Sequence, residues 1–167
     1  MRKTLDEVAA TIRREHHASL PASPDRLEGA RARGVPVPLL ELHARFDGAA
    51  LCPGDDFPAP DGRRFRFKMP PLAELQTVAQ EGYAPDDSSM LDQLREWWGF
   101  LDCGDGDWIA LTGPAEGFRV VDVFHETAGQ PGYHKIVSPD LLTFFNALLD
   151  RGEVFWLDED FVGLGWL

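Results

Sequence analysis

The stretch FLDCGDGDWIAL (residues 100–111) sets Asp102, Asp105 and Asp107 around Gly104 and Gly106, just before an apolar run. Carboxylates clustered in this way can hold a divalent cation or work as an acid–base pair. An EF-hand loop needs oxygen ligands at positions 1, 3, 5 and 12 and glycine at position 6. Counted from Asp102, positions 3, 5 and 12 fall on Gly104, Gly106 and Gly113; counted from Asp105, position 5 falls on Ile109. Neither register works. A hairpin turn suits the residues better, since glycine supplies positive φ and aspartate caps such turns. No metal is expected there.

Histidine and cysteine offer the other reactive groups. His16 and His17 are neighbours on an expected helix, so they diverge by about 100° and cannot share a metal. His125 and His134 could approach each other across a hairpin, with Glu126 alongside. Either could in principle activate Cys52 or Cys103. Nothing around the two cysteines resembles a nucleophile setting, and the chain has no phosphate-binding GxxxxGK[ST] loop, GxGxxG turn, HExxH helix or GxSxG elbow. A small metal-dependent hydrolase built on Asp102, Asp105, Asp107 and His125 is the enzymatic alternative. The main expectation is a protein without catalytic residues or cofactor.

Charge points towards binding. Residues 1–80 carry 12 Lys and Arg against 11 Asp and Glu, a net of +1; residues 81–167 carry 4 against 17, a net of −13. Phosphate contacts need clustered cations, so nucleic acid is not expected as a direct partner. A basic protein is, unless the charge serves only solubility. No apolar run approaches the roughly 18 residues of a membrane span, and MRKTLDEVAATIRREHH lacks the apolar core of a secretory signal. Two cysteines fit a reducing compartment. A cytoplasmic protein with no membrane partner is expected.

The elements that must position these residues change period midway. Leu5, Val8, Ala9 and Ile12 predict an amphipathic helix over 4–17. Ser23-Pro24-Asp25 opens a second helix ending near Gly34, and Leu39, Leu40, Leu42 and Phe46 make a third, stopped by Asp47-Gly48. Residues 48–64 read as loop, 65–69 as a strand, and LAELQTVAQEG as a helix ending at Gly82. Then come aromatic and β-branched runs at 96–103, 107–112, 118–126 and 133–138, separated by short Gly, Asp and Pro segments. This predicts an antiparallel meander. Ser138-Pro139 starts a closing helix ended by Gly152, and an apolar tail packs on the sheet. The expected fold is a single α+β domain, an antiparallel β-meander sheet with helices packed mainly on one face. Residues 1–19 form an N-terminal helical extension and residues 20–167 the domain proper.

The order of these pieces resembles a known family. GVPVPLLELHARFDGAAL (34–51) is similar to an entry helix with a Pro-containing turn and a glycine stop; MPPLAELQTV (69–78) to the leucine-rich helix that follows. DCGDGDWIAL resembles a Gly-Asp turn and strand, VVDVFHET the next strand with its His-acid ending, and IVSPDLLTFFNALLDRG the closing helix. Together, over residues 20–152, they resemble the SUKH superfamily, which includes bacterial toxin-immunity proteins and yeast cell-wall assembly regulators. Thr112 and Pro139 depart from its pattern. The resemblance implies a non-enzymatic protein-binding domain and makes the Gly-Asp turn a structural signature, with Asp105 and Asp107 bonded to neighbouring backbone N–H groups.

The leading expectation is thus an immunity protein that neutralises a basic bacterial toxin such as a nuclease. The alternative is a housekeeping scaffold or regulatory module outside any toxin system. Candidate contact residues are the loop acids Asp86, Asp87, Asp105, Asp107, Asp158, Glu159 and Asp160, because loops on a rigid sheet carry binding groups. Trp97 and Trp98 alternate across a strand, so one of them exposed would make an interaction anchor.

Overall fold

The computed structural model describes residues 2–51, 56–82 and 89–167. Thr4 caps the first helix, α1 (Leu5–Glu15): its hydroxyl accepts the Glu7 N–H while Glu7 reaches back to the Thr4 N–H. Val8, Ala9 and Ile12 on its inner face join the main core. The helix ends two residues before the expected limit, because His17–Ala18 turn extended as strand β1. Ser23 caps α2 (Pro24–Ala32), with proline at its first position, and α3 (Val37–His43) follows Pro36.

The segment expected as loop over 48–64 supplies strands. β2 (Ala49–Leu51) pairs with β1 and with β5 (Phe67–Met69), and β3 (Phe57–Pro58) pairs with β4 (Arg64–Phe65) as a separate ribbon. Two or three residues are too few to show a period.

The helix expected over 72–82 does not form. A single 3-10 turn (Leu72–Glu74) gives way to β6 (Gln76–Thr77), which pairs with β7 (Trp98–Asp102). Tertiary partners take carbonyls that a helix would use and an N–H at its start. The Arg33 guanidinium donates to the carbonyls of Leu72 and Leu75, and the Leu72 N–H donates to Asp47 Oδ1 at 2.7 Å.

The meander follows as expected. After the short α4 (Leu91–Leu94), β7, β8 (Trp108–Leu111), β9 (Val120–Val123) and β10 (Lys135–Ser138) pair antiparallel in sequence order. The long sheet runs β1-β2-β5-β7-β8-β9-β10. Its front face buries Phe100, Ile109, Leu111, Val120 and Val137 beneath α5 (Leu141–Arg151), in one core with residues of α1, α2 and α3. Its back face packs Ala110, Val121, Val123 and Ile136 against Met90 and Leu94. The result is a single-domain α+β fold with helices mainly on one face. Among the described residues, no helix is long and apolar enough to cross a membrane.

Asp140, rather than Ser138, caps α5: its carboxylate accepts the Thr143 N–H at 2.7 Å, while the Ser138 hydroxyl donates to the Asp140 carbonyl. The helix stops at Gly152, left-handed at φ 66°. Beyond it Phe155 and Trp156 enter the front core. The tail then runs alongside β10: the Ile136 N–H donates to the Gly165 carbonyl and the Leu164 N–H to the Ile136 carbonyl, both at 2.9 Å, with a bridge between Lys135 and Trp166. The tail therefore extends the sheet edge instead of lying over a face.

Candidate functional site

The acidic turn is held by its own carboxylates. Asp102 Oδ1 accepts the Gly104 N–H at 2.8 Å and Asp105 Oδ1 accepts the Asp107 N–H at 3.2 Å. Gly104 and Gly106 sit at φ 83° and 99°, where other residues are strained. Asp107 reaches further, to His125 on the far side of β9: its Oδ1 takes the His125 N–H at 3.0 Å and faces His125 Nδ1 at 2.8 Å. That bond pushes the His125 pKa up, against a smaller effect of burial. Among the described residues, no group of three His, Cys, Asp or Glu side chains is placed to hold a metal.

The remaining reactive groups disperse. His134 packs edge-on to Trp97, ring centroids 5.2 Å apart, and burial lowers its pKa to about 4; it does not join His125. Burial first, and then the carboxylates of Asp122 and Asp105, push the Cys103 thiol well above its ordinary value. A nucleophile needs the reverse. Cys52 lies outside the described residues, as do Asp86 and Asp87.

Trp97 and Trp98 require a correction. They do point to opposite faces, Trp97 into the back cluster and Trp98 into the front core, but the two are 0% and 6% exposed. Elements cover both faces of β7, so neither indole is offered to a partner.

Asp105, Asp107, Asp158 and Glu159 converge on a residue that sequence reading passed over. Asp122 sits in β9 opposite Lys135 of β10, on the front face, since its neighbours Val121 and Val123 both face the back cluster. Around it opens a groove of about 440 Å³, lined by Phe124, Tyr133, Trp156, Trp166, Asp158 and Glu159 among others. Asp160, exposed beside them, donates its N–H to Asp158 Oδ1 at 3.0 Å. Tyr133 and Trp166, 56% and 60% exposed, form its open rim. Lys135 is engaged at the side: its ammonium donates to the Trp156 carbonyl at 3.2 Å and lies 5.0 Å from the centre of the Phe161 ring. Among the described residues no donor bonds the Asp122 carboxylate. Burial, reinforced by the Asp107 charge and only partly offset by Lys135, raises its pKa to about 7.

One signal could have found it. In VVDV an aspartate takes an inward position of an otherwise apolar strand, and an inward carboxylate is costly to bury without a purpose. A larger cleft, about 640 Å³, lies beside β1 and β2, but its Arg26 is paired with Asp47 and its Lys68 with Glu74.

The raised pKa has a measurable consequence. An acid titrating higher in the folded than in the unfolded chain stabilises fully at low pH and loses that contribution as pH rises through about 7. Asp122→Asn removes the loss. Since one pKa unit corresponds to about 1.4 kcal/mol and the open groove discounts the effect, the variant should exceed the parent by about 2–3 kcal/mol at alkaline pH. The two should converge near pH 4. Urea melts at both pH values test this, and an unchanged alkaline stability would refute the assignment. No family model, no curated protein and no solved structure matches the chain.

Proposed function

We propose that the chain is a non-enzymatic protein-binding domain that neutralises a basic partner, in the manner of an immunity protein bound to a bacterial toxin such as a nuclease. The observation that carries this reading is the groove beside Asp122, where three carboxylates and exposed aromatic rings share one surface of the strongly acidic half of the chain. Aromatic rings supply contact area at interfaces, and complementary fields raise association rates. Nuclease surfaces that grip phosphate are basic, so an acidic binder seated there also blocks access to substrate. The order of motifs resembling the SUKH superfamily supports the same reading, and a cytoplasmic site of action goes with it.

The experiment is co-expression with the product of the neighbouring reading frame, looking for a large protein with a variable basic C-terminal domain. A stable complex that abolishes that domain's toxicity is expected; no complex and no protection would refute the proposal. Reversing the exposed Glu159 and Asp160 to Lys should leave folding within about 0.5 kcal/mol, as exposed substitutions usually do. The same change should slow association with the partner roughly 10-fold at low salt and flatten its salt dependence. Unchanged rate and salt slope would place the contact elsewhere.

A further inference from the structure

The geometry points to an arginine side chain of the partner as the group the Asp122 groove receives, its guanidinium between the carboxylates of Asp122, Asp158 and Glu159 and the rings of Tyr133 and Trp166. This deepens the protein-binding reading and rests on it.

Three features select a cation. The groove brings three acids to one place against a single lysine, so one or two negative charges remain uncompensated. Asp122, inward on its strand, has no donor of its own among the described residues, and an arginine would supply it. The protein's own Lys135 already shows the surroundings suit a cation: its ammonium lies 5.0 Å from the Phe161 ring centre and 6.0 Å from that of Trp166.

The shape selects guanidinium over ammonium. A planar fork of five donors can bond a carboxylate with two parallel hydrogen bonds and stack on an aromatic face at once, which a point-charge ammonium cannot. Lys135 holds the Trp156 side of the groove and one approach to the Trp166 ring, while Tyr133 and the larger part of Trp166 stay exposed for the newcomer. The tail that carries Trp166 is bonded along β10, so that rim is set on the sheet edge before any partner arrives.

The test uses the full chain, labelled with ¹⁵N, and three synthetic probes: acetyl-Gly-Arg-Gly-Arg-Gly-amide and the same peptide with lysine or with citrulline, which keeps arginine's shape without its charge. The arginine peptide should shift the amide resonances of Tyr133, Asp158 and Trp166 and the Trp166 indole signal. It should bind at least 5-fold more tightly than the lysine peptide and 10-fold more tightly than the citrulline peptide. Asp122→Asn and Trp166→Ala should each weaken it several-fold, whereas Glu28→Lys on the distant α2 should change nothing in those resonances. Equal binding of the lysine or citrulline peptide, shifts centred away from the groove, or indifference to Asp122→Asn would each overturn the inference. Arginine binding without any toxin partner would leave this inference standing and remove the immunity reading. A toxin complex untouched by Asp122→Asn and Trp166→Ala would do the opposite.

Discussion

Phe145→Ala should lower the free energy of unfolding by about 3–5 kcal/mol, the range for truncating a fully buried aromatic. Phe145 has no exposed surface and lies in the front core, its ring centre 5.5 Å from that of Phe144 and 6.0 Å from that of Phe100. With Phe144, whose ring centre lies 5.8 Å from that of Phe100, it packs α5 on β7. The cavity left behind would be walled by β7 and by Phe144, neither free to collapse into it. In a domain of this length each kcal/mol moves Tm by about 2–4 °C, so the loss is easily seen by calorimetry or urea titration. A cost below about 1 kcal/mol would mean that α5 does not pack as described.

Asp47→Ala should cost about 2–4 kcal/mol, by leaving the buried Leu72 N–H and His43 Nδ1–H without their acceptor. Asp47 Oδ2 takes the Arg26 guanidinium at 2.8 Å, and Oδ1 takes the Leu72 N–H at 2.7 Å and faces His43 Nδ1 at 3.2 Å. Burial alone would raise the Asp47 pKa; the Leu72 N–H, Arg26 and His43 outweigh it and hold the carboxyl below its ordinary range. Burial lowers the His43 pKa to about 4, so it is neutral at neutral pH and its Nδ1–H donates to the carboxylate. One side chain thus ties α2, α3 and the 72–74 turn together. Asp47→Asn, which keeps an acceptor for Leu72, should cost distinctly less. Equal denaturation midpoints for Asp47→Ala and the parent would show that the network contributes nothing.

The same histidines set the acid limit. His43 and His134 both titrate near pH 4 when folded, below the ordinary value of 6.5. Their contribution to stability is present above about pH 6.5 and is lost as pH falls towards 4, since the unfolded chain binds the protons first. Asp122 opposes this over the same interval, so Asp122→Asn should steepen the acid loss while raising alkaline stability.

Much of the architecture was legible because it is local. Ser23 and Gly152 mark helix ends by what their own side chains or φ permit, and the apolar spacing of α1 and α5 names the buried faces. The four meander strands follow from aromatic and β-branched runs broken by glycine and aspartate. The answer to the acidic turn was local too: Asp102 and Asp105 each bond an N–H two residues on, a contact set by spacing alone.

Where partners lie far along the chain, the sequence was silent or misleading. LAELQTV has helical spacing, yet Arg33 and Asp47 take its backbone groups and turn it into a 3-10 turn and a strand, because those bonds form only once α2 and α3 are packed. Trp97 and Trp98 looked like a choice between core and surface; α4 and the back cluster on one side and the front core on the other buried both. The groove itself was beyond sequence reading. Asp122, Tyr133, Asp158 and Trp166 come from four separate stretches, brought together by the pairing of β9 with β10, of the tail with β10, and by the Lys135 bond to the Trp156 carbonyl. Acidic character and loop placement are properties of residues one at a time. Which acids share a surface, and whether an aromatic ring stands beside them, depends on strand register, and register is decided by the whole sheet.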